Sequence, residues 1–136
     1  MRITQEADYA LRILFSLAKR GEKTDAATLS SLVKITPRFS LKILRKLTQS
    51  GLVVSYKGAC GGYDLARNPR EITLKDAIEA IDGPIAINKC ILGDYECSRM
   101  GKDKDFCPVH CTFCRINDDL VSKLSSVTIK DLIDEA

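Results

Sequence analysis

Residues 36–66 read TPRFSLKILRKLTQSGLVVSYKGACGGYDLA, and this stretch decides the fold. Thr36 is a helix N-cap and Pro37 suits the first helical position, where its missing N–H costs nothing. The helix that follows runs to about Gln49, and Gly51 ends it. Ile43, Leu44 and Leu47 fall on one face, while Arg38, Lys42, Arg45 and Gln49 at i, i+4, i+7 and i+11 fall on the other. A basic helix face suits the DNA major groove, which is wide enough for a helix and walled by phosphates. Two extended runs follow, Leu52–Tyr56 and Tyr63–Ala66, around the glycine-rich Lys57-Gly58-Ala59-Cys60-Gly61-Gly62. They predict a β-hairpin. A hairpin directly after a basic helix is a wing. Its glycines allow close approach to a sugar–phosphate chain, and Lys57 stands where it can reach the minor groove.

Upstream, Ala10, Ile13, Leu14, Leu17 and Ala18 line one side of a helix over residues 4–20, closed by Gly21. Asp25 caps a short second helix with Ala27, Leu29, Leu32 and Val33 as its apolar members. Downstream, Thr73 caps a fourth helix with Leu74, Ala77, Ile78 and Ile81 on one face, ended by Gly83-Pro84. Residues 84–106 have no regular period and read as a loop, which at that length is normally functional. A helix resumes near Pro108 with an Ile116, Leu120, Val121, Leu124 stripe, and Ser126 or Thr128 opens a last short helix. The pattern predicts a mainly α chain with one small hairpin: a winged helix-turn-helix with a long C-terminal dimerisation helix. Its parts are a DNA-binding unit over 1–83, a cysteine-containing sensor loop over 84–107, and a dimerisation helix with C-terminal tail over 108–136.

Charge supports this division. From Lys34 to Arg70 there are eight basic residues against one acid, Asp64, inside a chain of net charge +3. Such a segment suits an anionic partner. The residues assigned to double-stranded DNA are Thr36, Arg38, Lys42, Arg45, Lys57, Gly58 and Gly61. No apolar run is long enough to span a membrane, and the N-terminus shows no leader pattern, which predicts a cytoplasmic protein without membrane contact. No serine triad, phosphate loop or carboxylate pair stands out, so catalysis is not expected.

Five of the six cysteines, Cys90, Cys97, Cys107, Cys111 and Cys114, fall within 25 positions. In a reducing cytoplasm a disulfide framework is disfavoured, and clustered thiolates suit zinc or iron–sulfur clusters. Cys90, Cys97, Cys107 and His110, the only histidine, can wrap one small cluster beside a helix start. Cys111 and Cys114 form a C-x2-C pair, the half-site of a structural zinc, although on a helix they also share a face and can simply pack. The zinc reading gives a zinc-stabilised winged-helix protein, a non-cluster regulator or adaptor.

The residues taken together resemble the Rrf-type winged-helix regulators, the group that includes the IscR and NsrR iron–sulfur regulators. Met1-Arg2-Ile3-Thr4 with Asp8-Tyr9-Ala10-Leu11-Arg12 is similar to the family's start. Leu44, Leu47, Gly51-Leu52-Val53, Lys57-Gly58, Gly61-Gly62-Tyr63 and Leu65-Ala66 are similar to its recognition helix and wing, and Cys90, Cys97 and Cys107-Pro108-Val109-His110 to its later landmarks. The resemblance covers residues 1 to about 125. It implies a homodimer on a palindromic operator, with operator binding controlled by an iron–sulfur cluster, 2Fe–2S in preference to 4Fe–4S. It also implies Cys90, Cys97 and Cys107 as cluster ligands. His110 stands where IscR-like members have the fourth ligand, and Asp8 where NsrR-like members supply a carboxylate from the other subunit. Three features depart from the family pattern: a longer cysteine loop, the extra Cys111 and Cys114, and Ser40-Leu41 in place of an apolar-then-polar pair.

Overall fold

Five side chains start five helices by the same chemistry. Thr4, Asp25, Thr36, Thr73 and Thr128 each sit in extended backbone and accept a hydrogen bond from the N–H three residues on. Such caps satisfy donors that a helix start leaves orphaned. In this computed structural model, which describes residues 2–101 and 103–136, the helices they open are α1 (Gln5–Arg20), α2 (Ala26–Val33), α3 (Pro37–Gln49), α4 (Leu74–Asp82) and α6 (Ile129–Glu135). Met1 of the family-like start lies outside the described residues. The remaining long helix, α5 (Pro108–Ser126), has Cys107 at its N-cap position and Pro108 in its first turn. Strands β1 (Val53–Tyr56) and β2 (Gly62–Leu65) pair antiparallel, Val53 opposite Leu65 and Tyr56 opposite Gly62.

The core forms where the apolar faces of the first helices meet. Ile13, Leu14 and Leu17 of α1 pack with Leu29 of α2 and with Ile43, Leu44 and Leu47 of α3, all fully buried. Leu52, Val53 and Ile72 close it from the hairpin side, and Ile129 of α6 enters the same core. The last helix therefore packs back on the N-terminal unit. Ile129 N–H donates to Ile72 carbonyl (2.9 Å) and Leu74 N–H to Val127 carbonyl (2.9 Å), which stitch the junction.

Three local expectations change. Leu32 is 50% exposed and Ala27 is exposed, because α2 turns Leu29, Ser30 and Val33 inward. Loop 84–106 contains two short 3-10 turns, Lys89–Ile91 and Lys104–Phe106, and an isolated bridge between Cys97 and Gly101. On α5 the buried positions are His110 and Asn117, while Ile116, beside Asn117, is 49% exposed. Hydrogen bonds make the burial of Asn117 tolerable: its amide donates to Ile85 carbonyl (3.0 Å) and its Oδ1 accepts from Ile87 N–H (2.9 Å), fastening the start of the loop to α5. Leu120 and Leu124 line a groove of about 450 Å³ against Ile3, Ile78 and Ile85, so part of the expected stripe faces its own chain.

Ser40 is fully buried in α3, and its hydroxyl has no hydrogen-bond partner among the described residues. A buried hydroxyl without a partner costs about 1–3 kcal/mol of desolvation. Ser40→Ala is therefore expected to raise the thermal midpoint by a few degrees, an increment of about 1 kcal/mol for a domain of this size. A lowered midpoint in a calorimetric scan contradicts this packing.

Candidate nucleic-acid interface and candidate metal centre

The recognition surface follows from the amphipathic split of α3. With Ile43, Leu44 and Leu47 locked in the core, Arg38, Lys42, Arg45 and Gln49 are all exposed on the opposite face. Thr36, Arg38, Phe39, Leu41, Lys42 and Arg45 border one open concavity. The apolar-then-polar pair expected early in this helix is inverted, Ser40 buried and Leu41 exposed, which puts an apolar side chain beside the basic residues of the exposed face. Among the described residues Arg38, Arg45 and Lys57 enter no ion pair, so their charges are available to phosphates.

Lys42 is different. Its ammonium lies 3.5 Å from the Glu6 carboxylate, and Lys46 lies 2.8 Å from the same group. Glu6 is 18% exposed at its side chain. Burial works against its charge, but the hydrogen bonds and charges of Lys46 and Lys42 outweigh it and hold its carboxyl below the ordinary value. Neither Glu6 nor Lys46 is marked by the sequence as part of this surface. They lie 40 positions apart in the chain, and nothing in local spacing signals the pairing.

The wing tip carries Lys57, Gly58, Ala59 and Cys60, all exposed. Gly61 is demanded by the turn itself, since a Cβ there would sit 2.5 Å from Tyr56 carbonyl oxygen. Gly62, at φ +152°, lies against Thr24, whose carbonyl oxygen a Cβ would approach to 2.9 Å. The paired hydrogen bonds between Thr24 and Tyr63 (2.8 and 2.9 Å) fix the wing to the turn before α2. Lys23 covers the Tyr56 ring at 5.0 Å.

The candidate metal residues are partly assembled. Cys90, in the 3-10 turn Lys89–Ile91, places Sγ 3.2 Å from Nδ1 of the buried His110 in the first turn of α5. Cys114, one turn further along α5, places its sulfur 3.3 Å from His110 Nε2, and Asp105 Oδ1 lies 3.8 Å from the same nitrogen. Desolvation, then the nearby Cys90, pushes the Cys114 thiol up and favours its protonated form. Backbone amides of Met100 and Arg99 lower the Cys97 thiol and favour its thiolate, the ligating form. Cys111 is exposed and donates to Asp105 carbonyl oxygen (3.2 Å), and it borders the same concavity as His110 and Cys114. Asp8 is held by Arg12 at 2.9 Å on the exposed side of α1.

Among the described residues no three His, Cys, Asp or Glu side chains converge as a ready metal site. Cys97 and Cys107 thus stand outside the Cys90–His110 pair. The donor set itself, three thiols and an imidazole on a segment rich in coil, fits an iron–sulfur cluster chemically.

A basic helix on a helix-turn-helix scaffold, followed by a wing, defines a DNA-binding transcription regulator and not an enzyme. The family profile described as Rrf2, iron-dependent transcriptional regulator, matches residues 3–135, and the chain belongs to this family. It is similar to an rrf2-like HTH-type transcriptional regulator of Rhodobacter capsulatus, 31% identical over 96% of this chain and 91% of that protein. It is also similar to the HTH-type transcriptional regulator IscR of Cronobacter sakazakii, 27% identical over 98% of this chain and 80% of that protein. Among solved structures, CymR, the global cysteine regulator of B. subtilis, superposes with a TM-score of 0.78 at 28% identity, covering 100% of this chain and 98% of that one. Among the described residues no helix is long and apolar enough to cross a membrane.

Proposed function

We propose that this Rrf2-family regulator binds a palindromic operator as a homodimer, and that an iron–sulfur cluster held by Cys90, Cys97, Cys107 and His110 sets its affinity. The observation that carries the reading is the approach of Cys90 Sγ to His110 Nδ1 (3.2 Å), across twenty positions of sequence. Residues 1–83 supply the DNA contacts, 84–107 the sensor segment and 108–136 the dimer helix. Bound at the segment, the cluster would supply a redox-labile anchor that joins Cys97 and Cys107 to the Cys90–His110 pair. Cys90, Cys97 and Cys107 would hold the group across the 84–107 segment, with His110 beside them at the start of α5. Asn117 holds the start of that segment on α5, and the hydrogen bonds between Thr4 and Asp82 join the end of α4, just before it, to the N-cap that opens the first turn of α1. Glu6 in that turn holds Lys42 and Lys46 of α3, so a contiguous chain of contacts runs from sensor to recognition helix. Asp8 remains the alternative fourth ligand, donated from the partner subunit.

Protein purified without oxygen is expected to be brown, with iron and acid-labile sulfide bound. A colourless protein containing zinc instead supports the non-cluster regulator or adaptor.

The homodimer rests on α5. Val109 (58% exposed), Phe113 (38%) and Ile116 (49%) fall at i, i+4 and i+7 and form an apolar stripe that its own chain leaves uncovered. A palindromic site also demands a two-fold protein. Ile116→Glu is expected to convert the dimer to monomer at micromolar concentration, because an unpaired charge buried in an interface costs on the order of 3–5 kcal/mol. Sedimentation checks this. A wild-type monomer, or a variant that still dimerises, removes α5 as the interface.

A further inference from the structure

The sequence of α3, PRFSLKILRKLTQ, holds four basic residues and no acid. The acid that meets it comes from another helix. Glu6, in the first turn of α1, places its carboxylate 2.8 Å from the Lys46 ammonium and 3.5 Å from that of Lys42. Exposure grades across the three side chains, from 18% at Glu6 through 35% at Lys46 to 60% at Lys42. Lys42 also borders the open concavity of α3 together with Arg38 and Arg45, which enter no ion pair among the described residues. The start of α1, whose N–H groups favour a negative charge, helps to fix the carboxylate there. One mostly buried carboxylate thus takes up two ammonium groups of the recognition helix, as a phosphate does.

We propose that Glu6 is a positioning residue for DNA binding: an internal stand-in for phosphate that holds Lys42 and Lys46 back from the DNA backbone and so limits affinity for duplex of any sequence. A phosphate must displace the carboxylate before it gains either lysine, whereas Arg38 and Arg45 meet it with their charges free. Sequence-independent affinity is almost entirely phosphate electrostatics, so the hold acts on that part of binding first. The inference rests on the reading of α3 as the DNA-contacting helix and is independent of the cluster.

Full-length protein is titrated with a random-sequence duplex at several salt concentrations. Glu6→Gln keeps the size of the side chain and removes its charge. It is expected to bind about fivefold tighter at fixed salt, the scale of one exposed ion pair released. Its salt slope is expected to steepen by about one unit for each lysine released. Lys42→Ala is expected to cost more affinity in the Glu6→Gln background than in wild type, a coupling that a merely structural Glu6 does not produce. Unchanged or weaker binding by Glu6→Gln, or equal costs of Lys42→Ala in the two backgrounds, overturns the proposal. Should Glu6→Gln fail to fold, two exposed substitutions decide: Lys42→Ala is expected to lower affinity and slope by less than half as much as Arg45→Ala, and equal losses overturn the hold. A flat salt dependence in wild type removes the DNA reading of α3 and the proposal with it. A steep wild-type dependence that Glu6→Gln leaves unchanged overturns the proposal alone.

Discussion

Raising salt from about 50 mM to about 200 mM is expected to weaken DNA binding on the order of a thousandfold, because each phosphate neutralised by Lys or Arg releases condensed counterions. Arg38, Lys42 and Arg45 on α3 and Lys57 on the wing lie exposed on one basic segment. The two protomers of the proposed homodimer would offer about eight such contacts, within the range for which losses of that size are typical. The four are not equivalent. Arg38, Arg45 and Lys57 are free of ion pairs among the described residues, whereas Lys42 is shared with Glu6. Arg45→Ala is thus expected to weaken binding more than Lys42→Ala, and each to lower the salt slope by about one unit for every phosphate left unneutralised. Fluorescence anisotropy titrations at several salt concentrations check this. A flat salt dependence, or four silent alanine variants, contradicts the assignment of this face to DNA.

Replacing Cys90, Cys97 or Cys107 singly by Ala is expected to abolish the brown colour and reduce bound iron to background. Removing one thiolate leaves an iron without the soft anionic ligand that holds it. His110→Ala is expected to leave a cluster that assembles but dissociates quickly, since the three thiolates remain. Cys111→Ala is expected to keep both colour and iron, because Cys111 is exposed and turned toward the Asp105 carbonyl. Asp8→Ala separates the two candidates for the fourth position: loss of the cluster there, with His110→Ala unaffected, moves the ligand to α1 of the partner subunit. Iron and sulfide analysis with visible absorption reads all of these outcomes. Dependence on Cys107, Cys111 and Cys114 alone, with zinc bound, contradicts the cluster assignment.

Much of the fold is legible in the sequence because its elements are locally overdetermined. Thr36-Pro37 starts α3, the Ile43, Leu44, Leu47 spacing turns its arginines outward, and the glycines of 58–62 allow the tight turn between two extended runs. Thr73 announces α4 in the same way, while Ser126 and Thr128 are equal candidates for the start of α6 until the structure shows Thr128. What stays hidden depends on partners distant in sequence. Periodicity names a face but not its neighbour, so Leu32 reads as core although no element covers it, and Ile116 reads as a better buried position than Asn117. Asn117 goes inside only because Ile85 and Ile87 bring unpaired backbone groups to it from thirty positions away. Glu6 is hidden for the same reason, its lysines lying on another helix. The Cys90–His110 approach is anticipated by residue type alone. Cys114 is legible in principle, since a histidine and a cysteine four apart on a helix share a face, but that spacing fits plain packing equally well.

Occupancy of the sensor is expected to change the affinity of the DNA-binding face, and one paired titration tests this directly. The same operator fragment, selected from the genome by the iron-loaded protein, is titrated at fixed salt with loaded and with chelator-stripped protein. Coupling between two sites in one regulator is typically about 1–3 kcal/mol, and the two dissociation constants are expected to differ by about 5- to 150-fold. Equal dissociation constants, for a protein shown to be fully loaded in one arm and metal-free in the other, contradict the control of operator binding by the cluster.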